Sequence, residues 1–268
     1  MRWFRKLVPL VVLLLLWWLA SSFSVRQGQE TGDRVGQSTT EYRLIPTPWE
    51  TGREVARLAS TGELWRHLSL TVFRGMCGLV LGLAIALVLG VPCGLLRPVM
   101  EVLSPLVTAM QSCPPIIWIS FLLVWAGIGN RVPMLVVFAA VFPPCFLNVA
   151  QGVAGLDHRL LEMTRVYRVP LGRVLRQIVL PGISRFAVAS LSFALGITWK
   201  VTATAEFFGA SSGVGERIYW SQREMDMPQL FAWTAVIIAV GVALELGVVH
   251  PLREALDPEK GGGHSDRS

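Results

Sequence analysis

The sequence predicts an all-α polytopic membrane protein with about six transmembrane helices. The chain has 268 residues, of which 53% are hydrophobic, and its mean hydropathy is +0.53. It is too apolar for an ordinary soluble domain and too long for a single span. Its apolar runs are separated by arginine-rich loops, so membrane topology explains the net charge of +6, and nucleic-acid binding is set aside.

The N-terminal part is interpreted as an anchor followed by an exported linker. Residues 1–23 place three basic residues ahead of an apolar run, which favours an uncleaved first span with a cytoplasmic N-terminus; a cleaved signal peptide is the alternative. Residues 24–64 begin as a polar, aperiodic linker. The capping box Thr47-Pro48-Trp49-Glu50 then predicts a short amphipathic helix to about Ala59 on the outer membrane surface.

Residues 65–256 are predicted to form the transmembrane body, and residues 257–268 a disordered cytoplasmic tail. The second span, about Leu68 to Leu96, carries a small residue at every fourth position. Small residues at this spacing let two helix backbones approach closely in lipid. The pattern predicts a helix-packing seam made of Gly78, Gly82, Ala86, Gly90 and Gly94.

The third span (about Val102 to Trp125) and the fourth (about Val132 to Val153) each contain a proline pair. Paired prolines free backbone carbonyls at membrane depth, where only protein or a water-filled cavity can satisfy them. Two interpretations stay open: structural kinks, or a translocation path. The cysteines beside the prolines are best read as small packing residues, and we predict no metal site. The candidate path residues are Cys113, Pro114, Pro115, Pro143, Pro144 and Asn148.

The fifth span, Ile183 to about Phe208, carries Lys200 and Glu206. Charged residues inside a span mark a paired or functional site by default, so both join the candidate path. Lys200 either snorkels or pairs with a glutamate, or it attracts an anionic solute near the outer mouth. A glycine- and serine-rich break follows, which suits a gate or an ordinary loop equally. The sixth span, about Leu230 to His250, contains Glu245, expected to be buried against a partner.

Residues 157–182 form a cationic amphipathic stretch between spans four and five, predicted to fold as helix, break, helix. Asp157 suits a helix N-cap. Pro170 forces Val169 toward an extended conformation and can open the second helix, which we expect Pro181 to stop. The alternative is a solvated basic loop without a specific function that follows the positive-inside rule.

This stretch also resembles a known motif. Glu162-Met163-Thr164, followed at fixed distance by Ile178-Val179-Leu180-Pro181, resembles the EAA motif of ABC importer permeases. The wider chain resembles the sulfonate, nitrate and taurine type of permease, through Ser60–Trp65, Val124–Gly129 and Ala205–Gly213. Met163, Thr164 and Arg168 stand where the family usually has two alanines and a glycine, so Val169-Pro170 is expected to make the break instead.

The resemblance implies the permease subunit of an ATP-driven importer in the bacterial inner membrane, with both termini cytoplasmic. Two copies would form the path for a small anionic solute such as a sulfonate, nitrate or a related compound. Implied partners are two ABC ATPase subunits, which bind ATP and Mg²⁺, and a periplasmic or lipid-anchored solute-binding protein. The chain itself is expected to bind no cofactor and to catalyse no reaction. The residues implied in ATPase coupling are Glu162, Met163, Thr164, Arg165, Tyr167, Arg168, Leu180 and Pro181.

Two other classes are weighed against this one. A transporter or channel that works alone would use Lys200, Glu206 and Glu245 as an ion relay, but we find no internal inverted repeat. A membrane enzyme would need a metal or nucleophile constellation, and no His/Glu pair has metal spacing. None of the three lysines stands in a phosphate-binding loop, so the energy for transport must come from another subunit.

Overall fold

The computed structural model describes residues 15–22 and 44–252, and this part of the chain is helical with short connections and no strand. Most of the predicted first span, the polar linker and the tail lie outside the described residues. α1 covers residues 15–22. The later helices are α2 Pro48–Ser60, α3 Glu63–Leu95, α4 Arg97–Ser112, α5 Pro115–Ala126, α6 Arg131–Ala154, α7 His158–Val166, α8 Leu171–Val174, α9 Leu180–Gly182, α10 Ser184–Gly209, α11 Val214–Arg223 and α12 Met227–Leu244, with π-helical turns π1 Leu175–Val179 and π2 Glu245–Val249.

Membrane-spanning length is reached by four single helices in the described part of the chain. They are Glu63–Leu95, Arg131–Ala154, Ser184–Gly209 and Met227–Leu252. A fifth crossing is available if the bent pair Pro98–Ser112 and Pro115–Ala126 counts as one span. The all-α polytopic fold is therefore confirmed.

The predicted capping box is present at the start of α2. The Thr47 hydroxyl accepts a hydrogen bond from the Glu50 N–H at 3.2 Å, and the Glu50 carboxylate accepts one from the Thr47 N–H at 2.9 Å. Pro48 occupies the first turn, where its missing N–H costs nothing. Trp49 is 80% exposed, and Leu58 is fully buried against α12 and α11. The helix thus has one packed face and one open face.

The small residues of α3 lie against α6, at the centre of the bundle. A Cβ added at Gly78 would come within 2.6 Å of the Met134 carbonyl oxygen, and one at Gly90 within 2.9 Å of Val149. Ala86 is fully buried in the same interface. The fourfold spacing thus places a smooth stripe along α3 that lets the two backbones meet, with Gly82 and Gly94 facing α6 in the same way.

The third span is not a continuous helix. α4 ends at Ser112, α5 begins at Pro115, and the two helices are bent by 94°. Pro114 and Pro115 have no N–H to donate to the last turn of α4, so the helical hydrogen-bond ladder stops there. The predicted third span, Val102 to Trp125, is therefore made of two helices rather than one, and the proline pair marks the bend between them.

The fourth span behaves in the opposite way. Pro143 and Pro144 lie inside α6, which is helical without interruption from Arg131 to Ala154. Pro143 is buried and Pro144 is half-buried, so the neighbouring helices hold this part of α6 in place. The structure shows no helix break at this pair.

The helix bundle has two ends, which are formed by different elements. The upper end brings together the start of α3, the residues between α5 and α6, and the end of α10, where the Gly129 N–H donates to the Gly209 carbonyl at 2.9 Å. The glycine-rich break after Gly209 is short and is followed by α11, a helix that the sequence pattern did not predict. The lower end brings together the ends of α3 and α6 with residues 157–182.

Candidate functional site

The predicted coupling segment, residues 157–182, begins with α7 at the lower end. The Asp157 carboxylate accepts a hydrogen bond from the Arg159 N–H at 2.9 Å, which confirms Asp157 as the N-cap. Glu162 is exposed on this helix, and so is Met163, whereas Thr164 is buried. Val166 and Tyr167, at the end of the helix, are 80% and 74% exposed. The segment therefore presents a carboxylate and several large apolar side chains away from the bundle.

The turn after α7 is made by Arg168, whose φ of 50° lies in the left-handed region. This conformation lets the Val169 N–H donate to the Thr164 carbonyl at 2.9 Å. We expected Val169-Pro170 to replace the family's glycine as the source of the break. Instead, arginine itself adopts the glycine-like conformation, at a cost of about 1 kcal/mol or more.

Beyond the turn, the chain returns to the bundle through α8, π1 and α9. Pro170 is the N-cap of α8 rather than its first residue. In π1 the hydrogen bonds lengthen by one residue, so that the Leu180 N–H donates to the Leu175 carbonyl. Pro181 lies in the short α9 that follows, and a turn at Ile183 leads from α9 into α10. The predicted end of the helix at Pro181 is confirmed to within one residue, because α9 ends at Gly182.

The second half of the coupling segment has one face buried against the bundle and one exposed face. Val174 and Val179 are buried against the ends of α3 and α6. Leu171 is 79% exposed and Leu180 is 53% exposed, and Pro181 is also exposed. The exposed surface is basic, because four of its arginines face solvent: Arg159, Arg168, Arg173 and Arg176.

At the upper end lies a second polar site, of which the sequence interpretation identified only Glu206. Arg74 of α3 and Glu206 of α10 form an ion pair at 2.6 Å, and their side chains are 1% and 0% exposed. Removing two charges from water is costly unless each is paired and hydrogen-bonded. The signal was available, because Arg74 is an isolated charge inside an apolar run.

All five N–H donors of Arg74 are satisfied. Besides Glu206, they reach the Ser212 carbonyl at 2.5 Å and hydroxyl at 2.7 Å, and the Asn130 side-chain oxygen twice, once at 3.1 Å from Nε. Arg74 therefore ties α3 to α10, to the residues before α6 and to the loop before α11.

The glutamate is held equally well. Glu206 Oε2 accepts hydrogen bonds from the Thr71 hydroxyl at 2.8 Å and from the Gly215 N–H at 3.2 Å. The adjacent Gly213 has a φ of 115°, and its N–H donates to His67 Nδ1 at 3.0 Å. We call this group of Arg74, Glu206, Thr71, Asn130 and Ser212 the upper cluster. It fixes the glycine-rich loop onto α3.

A second ion pair supports the same end from outside. Arg217 of α11 pairs with Glu63 at the start of α3, and both side chains are about one third exposed. Burial raises the pKa of the neighbouring Glu216 carboxyl, while Arg217 and Trp220 oppose that shift.

Lys200 does not join Glu206. Its ammonium group lies 5.8 Å from the centre of the Trp199 ring, and its side chain is exposed beside a cavity of about 480 Å³ between α10 and α12. Glu206 is therefore not the glutamate that pairs with Lys200, because Arg74 is its partner. Glu245 borders the same cavity and is exposed in this chain, contrary to the expected burial.

The remaining candidate path residues lie apart. Cys113 is half-buried at the bend between α4 and α5, and Pro114 and Pro115 are exposed there. Asn148 is half-buried on α6. Cys145 is buried, with its thiol 3.7 Å from the Ser190 carbonyl oxygen. In the described part of the chain, no three His, Cys, Asp or Glu side chains group as metal ligands would.

Comparison with known proteins gives a match to one protein family. Residues 78–259 match the family described as binding-protein-dependent transport system inner membrane component. The chain is 25% identical over 206 residues to an aliphatic sulfonates transport permease protein of Bacillus subtilis (strain 168), covering 77% of this chain and 75% of the relative. It is 23% identical over 257 residues to the taurine transport system permease protein of Escherichia coli (strain K12), covering 94% and 88%.

Among solved structures, the chain is similar to one chain of the MetNI methionine ABC transporter in its inward-facing conformations. The TM-score is 0.46 at 20% identity, and the match covers 79% of this chain and 94% of that one.

Proposed function

Because the chain belongs to the family of binding-protein-dependent transport system inner membrane components, we propose that it couples ATP hydrolysis on a partner subunit to solute import through residues 157–182. As a member of this family it is an inner-membrane permease of an ABC importer. In the proposed assembly two copies form the translocation path, and two ABC ATPase subunits, which bind ATP and Mg²⁺, dock at the lower end. The permease itself hydrolyses nothing.

The observation that carries the proposal is the exposed surface of the coupling segment. Three large apolar side chains, Val166, Tyr167 and Leu171, are each at least 74% exposed on a segment whose other face is anchored in the bundle. Exposed apolar groups rimmed by charge mark protein contact sites. An ATPase bound to this segment would move α10, because π1 and α9 connect the two with only the single turn residue Ile183 between them.

The proposed topology follows from the same placement. The lower end faces the cytoplasm, where the ATPases are, and the upper end faces outward toward a periplasmic or lipid-anchored solute-binding protein. Both chain termini are then cytoplasmic. The arginines of the segment agree with this orientation, because basic residues concentrate in cytoplasmic loops.

The solute is proposed to be a small anion of the sulfonate class. Two of the relatives are named as transport permeases for aliphatic sulfonates and for taurine, and both kinds of compound carry a sulfonate group. Lys200, exposed beside the α10–α12 cavity, is the basic side chain inside a span that we assign to attract such an anion.

The docking test is copurification of the ABC ATPase subunit of the same transport system with this chain in detergent. Wild-type protein is compared with Glu162→Arg, which reverses one exposed charge on α7. We expect the retained ATPase to fall by about tenfold or more, since a wrongly placed like charge at an interface costs several kcal/mol.

Glu224→Arg is the matched control, because Glu224 is an exposed glutamate at the upper end. It is expected to retain the ATPase fully. Equal retention by both variants, or equal loss, contradicts the role of Glu162. If wild-type protein retains no ATPase and the single chain moves solute in liposomes without ATP, the chain is a transporter or channel that works alone.

A further inference from the structure

α4 carries a polar stripe that runs toward the bend of the third span. Between Pro98 and Ser112, every polar side chain falls at positions i, i+3, i+7, i+10 or i+11 of one series. On a helix of 3.6 residues per turn these positions lie within an arc of about 100°. We call this set the α4 stripe, and it consists of Glu101, Ser104, Thr108, Gln111 and Ser112.

The rest of α4 is apolar and has two distinct faces. Val107 is 5% exposed and packs into the central core together with Met100, Leu103 and Met110. Val102 and Leu106, on another side, are 67% and 61% exposed. The helix therefore has one face for the bundle, one exposed apolar face that suits lipid, and the stripe between them.

The stripe is open in this chain. Ser104 is half-buried, and the other four members are exposed. The Thr108 hydroxyl donates to the Ser104 carbonyl at 2.8 Å and the Ser112 hydroxyl donates to the Thr108 carbonyl at 3.0 Å. Their outward lone pairs remain available as acceptors. The Gln111 carboxamide makes no side-chain hydrogen bond within the described residues.

The adjoining bend exposes backbone polar groups as well. Pro114 and Pro115 supply no N–H, and the Cys113 N–H donates to the Met110 carbonyl at 3.3 Å as α4 ends. Hydrocarbon cannot satisfy the other carbonyls of that last turn, nor a free carboxamide beside them. Such groups are tolerated at membrane depth where they face water or other protein.

We propose that the α4 stripe lines the aqueous solute path of the permease and that Gln111 is a solute contact at its bend. This inference rests on the proposed function, since it names residues of the path through which that solute passes. The stripe offers hydroxyl and carboxamide groups, with Glu101 as its one ionisable side chain. It therefore suits a small solute whose oxygens accept a hydrogen bond from the Gln111 amide and are released again easily.

Cysteine labelling tests the proposal. Thr108→Cys, Gln111→Cys and Leu106→Cys are each made in a chain whose four native cysteines are replaced by alanine, and the full chain is reconstituted in liposomes with and without its ATPase. The probe is a charged, membrane-impermeant methanethiosulfonate, which reacts with the thiolate and so requires water at the thiol. Leu106 is the matched control, being similarly exposed on the apolar face of the same helix.

We expect Thr108→Cys and Gln111→Cys to be labelled at least about tenfold faster than Leu106→Cys, because a thiol in lipid stays protonated. Equal rates at all three positions overturn the proposal. So does a disulfide between two copies at Gln111→Cys without labelling, which would make the stripe a subunit interface. Labelling needs no ATPase docking, so a permease that fails the copurification test can still show a wet stripe, and the two failures are distinguishable.

Discussion

The two ends of the bundle treat charge in opposite ways. At the upper end, Arg74 and Glu206 are almost completely buried and every N–H of the arginine has a partner. At the lower end, Glu162 and four arginines of residues 157–182 face solvent among exposed apolar side chains. The difference teaches that the upper charges act on the chain itself, by fixing its elements, whereas the lower charges remain available to another molecule.

The largest expected effect comes from breaking the upper cluster. Arg74→Met should lower the free energy of unfolding by about 3–5 kcal/mol, because Glu206 would remain buried without its counter-charge. Thermal unfolding followed by size-exclusion chromatography in detergent measures the loss.

The matched double variant, Arg74→Met with Glu206→Met, removes both charges and should recover much of that stability. If the single and double variants unfold at the same temperature, the pair does not stabilise the upper end in the way described.

A smaller effect is expected where the two ends are joined, along the α3–α6 seam. Gly78→Ala should destabilise the bundle by about 1–3 kcal/mol, because the added methyl group would meet the Met134 carbonyl and Val137. Gly52→Ala, on exposed α2 with open space around it, should instead stabilise by about 0.4–1 kcal/mol. Unfolding by sodium dodecyl sulfate titration compares the two, and effects of the same sign would contradict the seam.

The smallest expected effect concerns the turn at Arg168, at the lower end of the bundle. Arg168→Gly should stabilise residues 157–182 by about 1 kcal/mol, since glycine adopts a φ of 50° without strain. Arg173→Gly, on a regular helical residue of α8, should destabilise by a similar amount. Amide hydrogen exchange of the segment reports both. Faster exchange in Arg168→Gly would mean that the arginine side chain, rather than its backbone, holds the turn.

Local signals in the sequence predicted most of the elements. The capping box at Thr47, the N-cap at Asp157 and the long apolar runs each act over a few residues, so their structural consequence can be read directly. A Pro-Pro pair lies within the continuous helix α6 but at the bend between α4 and α5. The same dipeptide has two outcomes because the packing of neighbouring helices determines whether the helix continues through it. The end of the helix near Pro181 was predicted to within one residue, because proline acts on its own turn.

The candidate site was predictable to a lesser extent. Residues 157–182 were found because their charge, amphipathicity and motif are contiguous. The upper cluster was missed because Arg74 and Glu206 are 132 residues apart, and no short pattern connects them. The α4 stripe was not predicted for another reason. The third span was treated as apolar along its whole length, so its prolines were considered and its polar positions were not.

The same separation along the chain has a consequence for how the protein is made. Arg74 lies 11 residues into α3, about 16 Å from its start, so it enters the bilayer with that helix. Glu206 is synthesised 132 residues later, which at 5–20 residues per second is a delay of roughly 7–26 s. Throughout that interval α3 carries a cation whose counter-charge has not yet been synthesised, and the upper cluster can form only after α10 has arrived.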